Sequence, residues 1–503
     1  MAENLKEKRQ VSEEEQKKKV GKVLMLCTGG TIGMLHRVKD DPTTPLEPAK
    51  WSEIEEYMSA MKSLPFYVKA DDSLELIDSS NMHPEYWLSL AAKVQEEYEN
   101  YDGFVILHGT DTMAYTATAL SFFFENLSKP VIITGSQLPL AKPRSDAAQN
   151  MVTALTIAAA YKVPVIPEVC VLFDKKLLRG NRSRKVSSSG FDGFDSPNFP
   201  PIAEIGEHIK VNTHLLRKIP EETFFINPVI NKNVMLFDIF PGISGKVLRG
   251  VFDVSINEKD DKDKLRGLVL RTYGTGNAPT GDEFISEIIY AINDRKLVLV
   301  NITQCNQGMV EMGLYAASTG LIRAGVLSGV DMTPEAALVK MMFLLGQGYK
   351  DETFKEQMQR NLRGEQSYNA YNFVYEDKKD YDTEKDSIVR FTEMTIPSGF
   401  VREKIVSAKL RFDGVNFNKI DNEKPLDLAM FMNYPAASAE TKTNIPQCIG
   451  VIENINESTE LVLSCDQKVA QVINPALPLK LTAVSKNGNV SWKSMVLSIY
   501  TDV

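Results

Sequence analysis

The chain has 503 residues, 43% of them hydrophobic and 24% charged, which is long enough for two or three globular domains with the balance of an ordinary soluble protein. Its formal net charge of -9 argues against a nucleic-acid-binding surface as its main business, and no basic run exceeds the three lysines at 17–19. Five scattered cysteines (Cys27, Cys170, Cys305, Cys448, Cys465) form no C-x-x-C pair, so neither a disulfide framework nor a metal site is indicated.

That cysteine usage suits a reducing compartment. The N-terminus has no apolar leader, and no apolar span is of membrane-crossing length. The expectation is a cytoplasmic protein whose partners include neither membrane nor nucleic acid.

Residues 1–19 mix Glu, Lys and Gln with almost no apolar content and read as a solvated, charged arm. A first lobe spans 20–209. Its predicted strands are 23–27, 104–107, 131–134 and 169–173, and its predicted helices 85–98, 114–125 and 146–160. The alternation implies a parallel sheet with helices on both faces, the α/β class.

Two strand ends stand out. The first runs into Thr28-Gly29-Gly30-Thr31, the second into Gly109-Thr110-Asp111-Thr112. Ligands of open α/β sheets bind outside the carboxyl ends of the strands, so both turns are candidate working positions. Local alternatives stand beside that reading. Asp111 or Thr112 can simply cap the next helix, and the glycines can serve a hinge or a close backbone approach. A phosphate-cradling loop is disfavoured, because neither G-x-G-x-x-G nor a Walker Lys-Ser/Thr follows.

Residues 210–230, within a poorly patterned stretch holding Pro220 and Pro228, read as a linker. A second, smaller α/β lobe fills 231–367, with strands at 234–239, 265–271 and 297–302 and helices at 281–293 and 334–345. The charged run at 258–264 reads as an exposed turn. Residues 368–387, rich in Tyr, Asp and Lys, read as a tether. From 388 to 503 the pattern changes to period two, with strands at 410–415, 428–432 and 461–465 and a hairpin closed by Asn487-Gly488. This predicts a small all-β, sandwich-like domain to which the sequence assigns no ligand.

Six motifs occur in order: TGGTIGM from Thr28, DSSNM from Asp78, HGTDTMAYTATALSF from His108, TGSQLPL from Thr134, RGNRSRK from Arg179 and YGTGNAP from Tyr273. Over about 20–367 the chain therefore resembles the bacterial-type, cytosolic (type I) L-asparaginases. The resemblance implies the two-lobed asparaginase fold and hydrolysis of L-asparagine to L-aspartate and ammonia, without metal or organic cofactor, in a homo-oligomer (dimer or tetramer).

Such chemistry needs a nucleophile, a base, oxyanion donors and a device that recognises the substrate's own charges. With only five histidines and no trusted Ser-His-Asp arrangement, the candidates are hydroxyls with a lysine; His108 reads as a satisfied histidine at a strand end. By resemblance, Thr31 matches the nucleophile on the TGGT loop, while Thr110, Asp111 and Lys185 match a second, triad-like group. Arg182 and Arg184 lie just before Lys185 in sequence, and their like charges are expected to favour its amine form; a solvated basic cluster is the competing reading.

An ionised Asp111 suits the substrate's α-ammonium. Ser79 and Ser80 match positions that hold its α-carboxylate, against the plain alternative of a Ser-Ser turn. Gly30 and nearby amides are oxyanion candidates. Asn277 is expected to complete a neighbouring subunit's site, and Arg271 and Cys305 match a regulatory asparagine site of some members. One departure is that 35–51 holds no tyrosine, where many relatives carry one that contacts the nucleophile. The first tyrosine after the motif is Tyr57.

The alternatives are a tRNA-dependent amidotransferase subunit, whose known forms carry a separate module before the core, and a catalytically silent scaffold for the β domain. With the resemblance complete by Ser367, a chain ending near Tyr375 is expected to fold and hydrolyse.

Overall fold

The computed structural model describes residues 21–38, 43–260, 263–312, 316–382, 388–397, 399–420, 424–455 and 460–503. The charged arm at 1–19, part of the 258–264 run and the end of the expected tether lie outside them. The described chain forms two compact units: the residues up to Lys232 with Met332–Gly348 and Arg363–Glu365, and Asn233–Asp331 with Tyr349–Leu362 and Gln366–Val503.

The first unit is built on an eight-stranded sheet. Tyr67–Asp71, Lys22–Cys27, Gly103–Leu107, Val131–Thr134 and Val169–Phe173 lie side by side in parallel. Lys176–Arg179, Ala203–Ile205 and Ile209–Val211 then extend one edge in antiparallel pairing, so the expected parallel sheet is mixed.

Gly103–Leu107 is buried throughout, which explains its continuous apolar run: helices cover a parallel sheet on both faces. Met113–Phe123 packs on one of those faces, and all but two of its residues are buried. The helix Pro334–Gly346, expected in the second lobe, belongs here: Phe343 stacks on Phe122 with centroids 5.5 Å apart. Almost all of its surface is apolar, so periodicity alone did not reveal which lobe it would join.

In the second unit Val234–Asp238, Gly267–Thr272, Val298–Thr303 and Leu327–Ser328 form a parallel sheet in chain order. Two antiparallel sheets follow and enclose one apolar core, to which Phe373, Leu410 and Phe412 contribute from one sheet and Leu428, Met430 and Leu481 from the other. The sandwich expectation holds, but two local readings do not.

Tyr368–Asp382, read as a tether, is a strand paired with Gly488–Asp502 over 368–376 and again at 381–382, with an irregularity between. Leu481–Lys486 and Gly488–Asp502 are not a hairpin either. They lie in different sheets, and Asn487, with φ 63°, turns the chain from one to the other. Gly488–Asp502 is buried on both faces: Met495 and Leu497 enter the sandwich core, while Val496 enters the core of the second α/β lobe with Val374 beside it. The β domain and this lobe therefore share apolar packing.

Candidate active site

The two threonine-bearing turns sit at the carboxyl ends of neighbouring strands. After Lys22–Cys27 the chain forms Tyr67–Asp71 on one side of that strand, then returns to place Gly103–Leu107 on the other. This reversal of strand order is where α/β sheets open a crevice for ligands.

Three backbone turns meet there at very short range. Gly29 bridges Ile77, and Ile77 N–H donates to Thr28 O at 3.0 Å. Gly30 has φ 80°, and a Cβ on it would fall 2.3 Å from Gly109 N, so only glycine lets the TGGT turn lie against the HGTDT turn. Gly109 in turn lies against Ser79, leaving no room for a side chain between them. The hydroxyl of Thr112 closes the triangle by donating to Ser79 O at 2.8 Å.

The capping reading of Asp111 and Thr112 is thus not what the structure contains. Met113–Phe123 has no side-chain cap bond, because Thr112 is occupied by Ser79 and Asp111 by a lysine. Lys185 Nζ donates to Thr110 Oγ1 at 2.8 Å and to Asp111 Oδ1 at 2.6 Å, although it comes from a short strand some seventy residues away. Thr110 is buried, whereas the Asp111 side chain is 62% exposed.

The two arginines that precede Lys185 face elsewhere. Arg182 donates to Gly364 O at 2.7 Å and lies over the Phe199 ring, and Arg184 pairs with Glu335. Asp111 is the charge in contact with Lys185. The expected push from like charges is therefore replaced by an acidic partner, because alternate residues of an extended segment point to opposite sides.

Supporting bonds fix this arrangement. Leu140 N–H donates to Ile32 O at 3.2 Å, tying TGSQLPL to the turn that carries Thr31. Asp146 accepts from Gln137 N–H and Leu138 N–H, and Gln137 Nε2 donates to Gly190 O at 2.7 Å in the loop beyond Lys185. Asp78 accepts from Ser80 N–H at 2.8 Å, which holds the Ser79–Asn81 turn with Ser79 buried and Ser80 exposed. Sequence reasoning gave Thr112 only a possible capping role and assigned none to Gln137 or Asp146. Their membership of the quoted motifs, or their closeness to them, was the only signal.

His108 is fully buried beneath the site. Its Nδ1 lies 2.6 Å from Gly109 O and must donate, so Nε2 accepts from Thr116 Oγ1 at 2.8 Å. Burial pushes its pKa down to about 4, against the opposing bond to Gly109, and it remains neutral. Cys27, at the end of the first strand, is pushed up to about 12 by burial and then by Asp72 and Asp71, so it offers a thiol rather than a thiolate. Among the described residues no cluster of three His, Cys, Asp or Glu is placed to hold a metal ion, and no helix is long and apolar enough to cross a membrane.

Beyond Thr31–Gly33 the chain forms a hairpin of Met34–His36 with Leu46–Pro48. Leu35 and His36 occupy it where a tyrosine was noted as missing. Tyr57 ends a 3-10 turn and lines a cavity of about 800 Å³ together with both.

The remaining expected residues lie in the second unit. Asn277 closes a turn with Tyr273, its backbone N–H donating to Tyr273 O at 2.8 Å, and its buried Oδ1 has no hydrogen-bond partner among the described residues. Arg271 reaches Asp238 at 3.0 Å, and Gln304 Nε2 donates to Arg271 O at 2.9 Å, which brings the exposed Cys305 beside Arg271.

The chain matches the model "Asparaginase, N-terminal" over residues 22–217 and "Glutaminase/Asparaginase C-terminal domain" over 233–358. It is 47% identical over 290 residues to "L-asparaginase 1" of Escherichia coli K12, covering 58% of this chain and 82% of that protein. It is 35% identical to a glutamyl-tRNA(Gln) amidotransferase component of Methanococcus maripaludis, covering 70% and 82% of the two chains. Its fold is similar to the crystal structure of L-asparaginase I from Vibrio cholerae, with TM-score 0.61, 41% identity, and 69% of this chain and 99% of that one covered. With the motifs, the crevice and these likenesses in agreement, the chain belongs to the asparaginase family.

Proposed function

We propose that the chain is an L-asparaginase that hydrolyses L-asparagine to L-aspartate and ammonia with a threonine nucleophile. The observation that carries this reading is the contact of Lys185 with both Thr110 and Asp111 beside the TGGT turn, where the strand order reverses.

The roles are those that the family resemblance implies. Thr31 attacks the side-chain amide carbon, and its proton enters the hydrogen-bonded Thr110–Lys185 pair. That pair returns a proton to the departing nitrogen, which leaves as ammonia as the C–N bond breaks. Water opens the ester on Thr31 and releases aspartate. Asp111 uses one oxygen on Lys185 and offers the other to the substrate's α-ammonium. The buried Ser79 and the exposed Ser80 take the α-carboxylate, and Gly30 with the amides beside it faces the oxyanion.

Asn277 is proposed, from the family resemblance, to complete the site of a second copy in a homo-oligomer. Exposed Phe240, Val247 and Val254 supply apolar surface for such an assembly. Arg271 and Cys305 are proposed as a regulatory site. A cytoplasmic location is supported by five cysteines that are all free.

Ammonia release from the purified protein, measured across a concentration series of L-asparagine and of L-glutamine, tests the activity. Turnover of asparagine without tRNA is expected. Release that requires aminoacyl-tRNA would favour the amidotransferase reading, and the absence of any release would favour the scaffold reading. A sigmoidal curve abolished by Arg271→Ala would support the regulatory assignment.

A further inference from the structure

On the first unit a second cavity, of about 140 Å³, is lined by Arg179, Arg217, Lys218 and Arg363 with Glu125 and Glu168. The two carboxylates are already engaged. Glu168 receives Arg179 Nε at 2.6 Å and Nη2 at 3.1 Å and also accepts from Arg217 N–H at 2.8 Å. Glu125 is paired with Arg363. Four cations face two anions, and the side chains of Arg217 and Lys218 make no hydrogen bond or ion pair with any described residue.

Arg217 and Lys218 are exposed, and the protein packed around the Arg217 guanidinium, then the charge of Arg363, hold it below the usual arginine range against the opposing charges of Glu168 and Glu365. The lining is therefore two positive charges in excess, in a recess too small for a folded partner. None of these residues belongs to the proposed catalytic group, whose contacts lie at the carboxyl ends of the strands Lys22–Cys27 and Gly103–Leu107.

We propose that this recess is a binding site for a small divalent oxyanion of the phosphate class, held by Arg217 and Lys218 with Arg179 and Arg363 behind them. Guanidinium groups suit this chemistry, because their planar donors pair with two oxygens of a phosphate at once. Arg179 begins the segment that ends in Lys185. The next turn, Gly180–Arg182, is bonded to the same 363–365 stretch, through Asn181 Nδ2 to Arg363 O at 3.0 Å and Arg182 Nε to Gly364 O at 2.7 Å.

The test is calorimetric titration of the full chain at saturating L-aspartate, with inorganic phosphate and glycerol phosphate in separate arms and acetate as a monovalent comparison. One saturable site per chain is expected, weakened at least tenfold in Arg217→Gln and less in Lys218→Gln, with acetate giving no signal. Binding in the phosphate arm assigns the site to the free anion; binding of the ester alone assigns it to a phosphate ester. Absence of binding in both arms overturns the proposal, as does affinity unchanged in both variants, or displacement by aspartate.

Discussion

If Thr110 and Lys185 form one proton relay, removing either breaks the same path, and removing both costs little more. The perturbation is Thr110→Val, Lys185→Met and the double variant. Lys185 Nζ lies 2.8 Å from Thr110 Oγ1, a hydrogen bond with a charged partner worth about 1.5–3 kcal/mol. That alone corresponds to roughly 10- to 150-fold in rate, at about 1.4 kcal/mol per factor of ten. Loss of general acid–base transfer brings the expected fall in kcat to about 10²–10⁴.

Stability should change little. The Asp111 side chain is 62% exposed, so its ion pair with Lys185 contributes no more than about 1 kcal/mol. Valine leaves Lys185 paired to Asp111, so no charge is stranded. Stopped-assay ammonia release gives kcat for all four proteins, and calorimetric melting gives Tm. The double variant should lie within a few-fold of the worse single, because groups acting as one unit are strongly non-additive. A double variant whose loss is the product of the two singles would refute the relay.

Asp111→Asn keeps shape and removes charge, so kcat/KM for asparagine should fall by at least about 10² while Tm shifts by only a few degrees; a large melting change with modest kinetic loss would mean a structural role. Gly30→Ala forces a Cβ to within 2.3 Å of Gly109 N, so turnover should be lost and stability lowered by about 2 kcal/mol or more, read by denaturant melts. His108 is neutral in the fold, with its pKa near 4, but takes a proton near pH 6.5 when unfolded. The stabilisation is present above pH 6.5 and is lost as pH falls toward 4, about 3 kcal/mol in all, and His108→Gln should flatten urea-melt stability across that window. A chain ending at Tyr375 loses the partner strand Gly488–Asp502 and uncovers the sites of Val496 and Tyr500, so it should be insoluble or melt at least 10 °C lower; a soluble, fully active fragment would contradict the shared core.

Legibility in the sequence followed the range of the interaction. Buried parallel strands such as Gly103–Leu107 announce themselves as apolar runs ended by glycine, and the motifs at their ends marked the turns that meet. The grouping of Lys185 with Thr110 and Asp111 was named by resemblance, but the directions of Arg182 and Arg184 were not legible: a 3-10 turn followed by a two-residue strand is too short to show a periodic signal. The last strand misled for the opposite reason. With both faces of Gly488–Asp502 buried, Asn487-Gly488 looked like the centre of a hairpin when it links two sheets. Tyr368–Asp382 looked like a tether because its Tyr, Asp and Lys content hides a strand stabilised by pairing with residues more than a hundred positions away.

The central claim is that Thr31, and not the lysine-bonded Thr110, attacks the amide. Rapidly quenched turnover of L-asparagine, followed by peptide mass spectrometry, measures this directly. An aspartyl ester on Thr31 that disappears in Thr31→Ala, a variant still able to bind asparagine through Ser79, Ser80 and Asp111, is the predicted result. An adduct on Thr110, or turnover that survives Thr31→Ala, would contradict it.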